Sequence, residues 1–146
     1  MQIEQRLQQL GIVLPEVKPP MFSFVPWVRS GNLVFISGQV SSLKGKLGRE
    51  VSTEQGYHAA REVAVRLIAV LKDAVGDLDK VSRVVKLLGM VNCMPDFEEQ
   101  PKVINGASDL LLEVFGDKGK HARSAVGMAQ LPFSSSVEIE GIFEVG

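Results

Sequence analysis

Two features of the C-terminal third could do chemistry: Arg123, in the run Arg123-Ser124-Ala125-Val126-Gly127-Met128-Ala129, and the glutamates of Val137-Glu138-Ile139-Glu140. Side chains alternate across an extended strand, so Arg123 shares a face with Ala125, Gly127 and Ala129. Residues that small cannot roof a guanidinium, and an unroofed guanidinium invites an anion. On the second run Val137, Ile139, Gly141, Phe143 and Val145 make an apolar face, and Glu138, Glu140 and Glu144 point the other way. The same pattern also describes a core-facing strand with a solvated acidic side.

Pro132 to Ser136 read as a turn joining the two runs into a hairpin, with Leu131 opposite Val137 and Arg123 beside Val145. In that register Arg123 and Glu138 stand roughly 23 Å apart, at ~3.3 Å per residue. One chain could not bring them together, so a site using both needs two copies and a closed oligomer.

Little else in the sequence competes for a chemical role. Cys93 is the only cysteine, which excludes an intrachain disulfide and suits a reducing compartment; it reads as a small buried thiol. His58 lies off the apolar face of its helix with no ligating residue four positions on, and so reads as exposed rather than as a metal ligand. His121 reads as solvated beside Arg123, where it could also tune attraction of an anion. The loop Lys44-Gly45-Lys46-Leu47-Gly48-Arg49-Glu50 reads as flexible and basic. Its GKLG tetrapeptide is similar to the backbone-clamping loop of KH domains, but that loop joins two helices and this one follows a strand hairpin. With 16 basic and 17 acidic residues and a net charge of -1, no global field favours nucleic acid or an anionic membrane. The N-terminus lacks a basic region followed by an apolar core, and no apolar run approaches ~20 residues. A cytoplasmic protein is expected.

The elements that must position these groups follow from spacing. The 146 residues suit one domain over 1–146, able to bury about 68–70% of its unfolded surface. Ile3, Leu7 and Leu10 recur at helical spacing before Gly11, and Pro15, Pro19 and Pro20 make the rest of residues 1–20 a lead-in. Phe22–Arg29 and Leu33–Ser37 read as strands joined at Ser30-Gly31-Asn32. Ser52 and Gln55 make a capping box for a long helix that Gly76 stops. Val81–Val91 reads as a strand, and Pro101 opens a second helix closed by Gly116. Asn105 sits inside that helix, either simply exposed or reaching a partner. The order β-β-α-β-α-β-β predicts an α+β fold with both helices on one face of a mixed sheet. The other face is then too apolar for water and calls for further copies of the chain.

Gly31-Asn32-Leu33, Ser37-Gly38-Gln39, Arg123-Ser124, Leu131-Pro132 and Val137-Glu138-Ile139-Glu140 together resemble the reactive-intermediate deaminases, the YjgF-like or Rid family, also labelled L-PSP endoribonucleases. The likeness runs over about residues 20 to 145. It implies a chorismate-mutase-like fold, a homotrimer with sites between subunits, and cofactor-free, metal-free hydrolysis of 2-imino or enamino acids to 2-keto acids and ammonia. Arg123 matches the arginine that grips the substrate carboxylate, a task suited to a planar fork. Glu138 matches the carboxylate that orients or deprotonates the attacking water. Ser37, Gly38 and Asn105 fall where the family lines its pocket. Ala125 takes a position commonly held by cysteine, where the backbone helps hold the ligand. Phe24 stands where the archetypes carry tyrosine, so it can wall the pocket but cannot donate a hydrogen bond. A longer segment between Asp96 and Asn105 and the N-terminal helix also depart from the archetypes. The second reading is a non-catalytic small-carboxylate-binding or regulatory protein using the same cleft. An endoribonuclease is disfavoured because paired histidines, a metal cluster and a basic stripe are all missing from the sequence.

Overall fold

The computed structural model describes residues 2–146. Two helices carry most of the core. Helix α2 (Thr53–Val75) starts at the expected capping box: the Ser52 side chain accepts from Gln55 N–H, and the Gln55 side chain accepts from Ser52 N–H. It ends at Gly76, whose φ of 80° a residue with a Cβ adopts only under strain. Helix α3 (Gln100–Phe115) has Pro101 in its first turn and ends at Gly116. Fully buried Ala60, Val63, Ala64 and Leu67 of α2 pack in one cluster with Ile104, Ala107, Leu110 and Leu111 of α3. Their close approach depends on Gly106, where an added Cβ would lie 1.9 Å from the Tyr57 carbonyl oxygen.

The sheet contains β1 (Trp27–Ser30), β2 (Leu33–Val40), β3 (Val81–Asn92), β4 (Ala122–Met128) and β5 (Val137–Val145), in the order β1-β2-β5-β3-β4. Strand β5 is antiparallel to both β2 and β3, and β4 is parallel to β3 at the edge. This overturns the expected hairpin: β4 and β5 do not pair, because β3 lies between them. The proline turn is real, but it leads across the sheet. Leu43–Gly45 holds the connection through Ser136 N–H to Leu43 O and Gly45 N–H to Ser134 O. Phe133 and Ser134 both take left-handed φ there, 61° and 59°.

Both helices lie on one face, as the element order implied, over Val34, Ile36, Val84, Leu87, Val137, Ile139 and Phe143. The other face is open and mixed: the expectation of a wholly apolar face fails because Glu138, Glu140 and Glu144 of β5 and Lys86 of β3 point there among apolar side chains. Phe35 and Val126 are exposed there, with Leu88, Met90 and Ile142 half-buried.

Three expectations need local correction. Regular strand begins at Trp27 rather than Phe22, and Phe22 to Phe24 form bends. The basic loop is pinned rather than free: Leu47 is fully buried and its backbone bonds Asn92 O and Met94 N–H. His121 is half-buried rather than solvated. Helix α1 (Gln2–Gln9) forms as expected, and its first N–H groups are capped from afar, with Asp79 accepting from Gln2 and Ile3. Glu4, Asp77 and Asp79 form an acidic group at this junction, where Glu4 also accepts from Leu78 N–H. Among the described residues no helix is long and apolar enough to cross a membrane.

Candidate active site

Arg123 pairs with Leu87 across β3–β4, and since Leu87 faces the helices, so does the guanidinium. It is not unroofed as expected. Helix α3 supplies two acceptors: Nη1 donates to Ser108 Oγ at 3.1 Å and Nη2 to Pro101 O at 3.0 Å. A guanidinium has five N–H donors, so the fork keeps donors for a ligand. Ser108 is in turn held by His121, with Ser108 Oγ and His121 Nε2 2.8 Å apart. His121 Nδ1 lies 2.6 Å from Gly119 O, and a carbonyl can only accept. The proton of the neutral ring therefore sits on Nδ1, Nε2 accepts from the Ser108 hydroxyl, and the serine oxygen is left to receive Arg123. A cleft of about 320 Å³ opens over this group, lined also by Asn105, Asp109 and Lys120. Asn105 is exposed, one helical turn before Ser108.

Glu138 lies on the opposite face. Its neighbours Val137 and Ile139 are fully buried toward the helices, so alternation turns Glu138 to the open side. Across the strands it pairs with Val40 and Met90, and Met90 pairs with Val126, giving a row in which the carboxylate stands among apolar side chains. Desolvation by that burial, helped by the charge of Glu140, raises its pKa above the ordinary carboxylate value. The carboxylate rests on Gly38, where an added Cβ would lie 2.2 Å from Glu138 Oε2.

Gly38 and Phe24 line a larger cavity of about 690 Å³ between the lead-in, β2 and α2. Ser37 lies beside it with its hydroxyl engaged, donating to Val25 O at 2.7 Å and so fastening the lead-in to β2. Ala125 pairs with Gly89 and packs half-buried on the core, on the same strand face as Arg123.

The expected residues thus fall into two groups. Arg123 and Ala125 belong to β4 and Asn105 to α3, whereas Glu138 belongs to the central strand β5, Gly38 and Ser37 to β2 and Phe24 to the lead-in before β1. Arg123 and Glu138 are two strands and three residues out of register, about 14 Å between Cα atoms, and they face opposite sides. The inference that one chain cannot unite them survives, for a different reason: β3 and the thickness of the sheet separate them. Sequence reasoning missed Ser108 and read His121 as solvated. Ser108 was findable, since three residues after Asn105 on a helix is the same face.

Over residues 4–143 the chain matches the model of the family described as "YjgF/chorismate_mutase-like, putative endoribonuclease". It is 44% identical over 150 residues to Protein TCP17 of Trypanosoma cruzi, covering 98% of this chain and 94% of that protein. Among solved structures it is similar to Atu1372, a protein of unknown function from Agrobacterium tumefaciens, with 45% identity, a TM-score of 0.92 and coverage of 99% and 93% of the two chains. A "putative endoribonuclease" from Shewanella oneidensis superposes with a TM-score of 0.94 at 34% identity, covering 98% of this chain and 99% of that one. RidA from an Antarctic Psychrobacter is more distant, with a TM-score of 0.59, 25% identity and coverage of 87% and 93%. The family match over nearly the whole chain agrees with the mixed five-stranded sheet carrying both long helices on one face. The chain therefore belongs to the YjgF/chorismate-mutase-like family.

Proposed function

We propose that this protein hydrolyses 2-imino and enamino acids to 2-keto acids and ammonia, at clefts shared between copies of the chain in a closed homotrimer. The observation that carries the reading is Glu138, a carboxylate set in an apolar row with its pKa raised and, among the described residues, no ion pair to neutralise it. A general base works best when its pKa approaches the working pH, and burial moves Glu138 that way. Arg123 of a neighbouring copy grips the substrate carboxylate through its remaining donors. Glu138 takes a proton from water as the oxygen bonds to the imine carbon and the C=N π pair moves to nitrogen. Glu138 hands that proton to the nitrogen, giving a neutral carbinolamine. The carboxylate then takes the hydroxyl proton and passes it to the nitrogen as the C–N bond breaks, so that the nitrogen leaves as ammonia and the oxygen closes to the keto carbonyl.

Two inactive variants test the shared site directly. Arg123→Ala removes one or two charge-assisted hydrogen bonds, and Glu138→Gln removes the base. Each alone is expected to lower kcat/KM about 10²–10⁴-fold, measured as ammonia or keto-acid release from imines made by an amino-acid oxidase. Mixed in equal amounts after dissociation and reassembly, they are expected to recover about a quarter of the wild-type rate, because a quarter of random interfaces pair two intact groups. No recovery, or a stable monomer, rejects the shared site.

Phe24 favours a second reading, a carboxylate-binding protein without turnover, because it offers the cleft no hydroxyl. Under that reading calorimetry finds 2-ketobutyrate binding, and the wild type leaves imines at their spontaneous rate. Acceleration by the wild type excludes it.

A further inference from the structure

The cavity of about 690 Å³ is within the size range of small-molecule pockets, and its walls have a definite character. Strand β1 ends its ladder at Trp27 opposite Ile36, and Ser37 N–H still donates to Pro26 O, so from Gly38 onward β2 has no strand partner on that edge among the described residues. The cavity straddles that edge. Gln39 lies on the helix side, paired with buried Ile139, and Val40 lies on the open side, paired with Glu138. The outer wall is the lead-in, with Pro20 and Met21, and the floor is Ala69 and Val70 of α2; Glu16 and Lys18 of the lead-in and Arg66 of α2 are the charged groups of an otherwise mostly apolar lining. Phe24, 52% exposed, and Met21, 78% exposed, stand at the cavity as large apolar groups without a covering partner in the chain.

Between this cavity and the Glu138 carboxylate stands Gly38, which lines the one and touches the other. An added Cβ there would meet the carboxylate, so the glycine is what lets Glu138 rest against a residue of the cavity wall. One polar group in the wall is also unmet: Arg66 donates through Nη2 to Ser42 and Glu62, but its buried Nε has no acceptor among the described residues.

We infer that this cavity receives the side chain of the substrate, and that the preferred substrates are 2-imino acids with bulky apolar side chains, aromatic or long aliphatic, rather than the alanine or serine derivatives. The inference rests on the reading of Glu138 as the base of an imine hydrolase. With the reacting carbon held near Glu138, the group it carries reaches past Gly38 and meets the mostly apolar walls, Pro20, Met21 and Phe24 on one side and Ala69 and Val70 on the other. An apolar wall discriminates by size, because each buried methylene adds affinity that a small side chain cannot supply. The N-terminal lead-in thereby acts as a specificity element.

The test is a panel of imines generated in situ from phenylalanine, leucine and alanine, comparing kcat/KM for the full-length protein. The phenylalanine and leucine imines are expected to exceed the alanine imine by about tenfold or more. Met21→Asp, at an exposed position that leaves the core untouched, puts a charge at the cavity, and Ala69→Phe fills its floor. Each is expected to reduce the large-to-small ratio several-fold. A flat panel, or a ratio unmoved by both variants, overturns the inference while leaving the hydrolase reading intact. If no imine is accelerated, it is the hydrolase reading that falls. Calorimetry with phenylpyruvate and 4-methyl-2-oxopentanoate against pyruvate then decides the cavity: tenfold tighter binding of the large acids supports it, and equal or absent binding overturns it.

Discussion

The arginine half of the site and the glutamate half are built on opposite plans. Around Arg123 the groups form a hydrogen-bonded chain: the guanidinium to Ser108 and Pro101, Ser108 to His121, and His121 to Gly119. Around Glu138 the neighbours across the strands are Val40 and Met90, and the carboxylate's pKa is raised by burial and by Glu140. A group that must bind an anion in one orientation gains from being fixed beforehand. A group that must accept a proton gains from being poorly solvated. Under the proposed hydrolysis, the contrast is between positioning and reactivity, each assigned to its own region of the sheet.

The sharpest way to break the contrast is Glu138→Gln, where activity and stability should move in opposite directions. Activity is expected to fall about 10²–10⁴-fold. The folded-state pKa of Glu138 is raised, so the folded protein holds this proton more firmly than the unfolded chain does. Its contribution to stability is fully present below the unfolded glutamate pKa and is lost as pH rises through the folded value. Above that window the wild type carries the penalty and the amide variant does not. Thermal unfolding should therefore show Glu138→Gln more stable than wild type at neutral pH, with the gain vanishing in acid.

Next in size is Gly38→Ala. The new Cβ would lie 2.2 Å from Glu138 Oε2 and 3.0 Å from its Cδ, so the flexible end of the glutamate must swing away. Displacing a reacting group by about 1 Å costs on the order of 10²-fold, and the loss should appear in kcat. Ser108→Ala probes the other plan with a smaller effect. It removes one hydrogen bond from the guanidinium, worth about 1–1.5 kcal/mol, so KM should rise roughly tenfold with kcat nearly unchanged. An equal loss in kcat would mean that the serine does more than hold the arginine.

Much of this arrangement was legible in the sequence. The capping box, the glycine stop and the 3.6-residue apolar spacing fixed the ends and inner face of α2, because those signals are local and the packing obeys them. Alternation correctly turned Glu138 away from Val137 and Ile139. What local signals do not carry is which strand lies beside which. Pro132 announced a change of direction, and adjacency in sequence suggested a hairpin, yet β5 gains more by burying Val137, Ile139 and Phe143 at the centre of the sheet than by pairing at its edge. The cover over Arg123 was hidden for a related reason. The residues beside it in the strand are small, and its partners, Ser108 and Pro101, arrive from helix α3, 15 and 22 residues earlier.

The central place of β5 also constrains how the molecule can assemble. Of the five strands it is the last in sequence, yet it alone joins the β1–β2 ribbon to the β3–β4 pair. Until residues 137–145 are in place, the chain has two separate strand pairs under two helices, with the groove meant for the missing strand lined by unpaired backbone on both sides. Closure is thus a long-range event that inserts the final segment like a keystone, and contacts so distant in sequence are the slow ones to form. A nascent chain of this protein would stay open, and prone to pairing with other extended segments, until that strand had been synthesised and had docked.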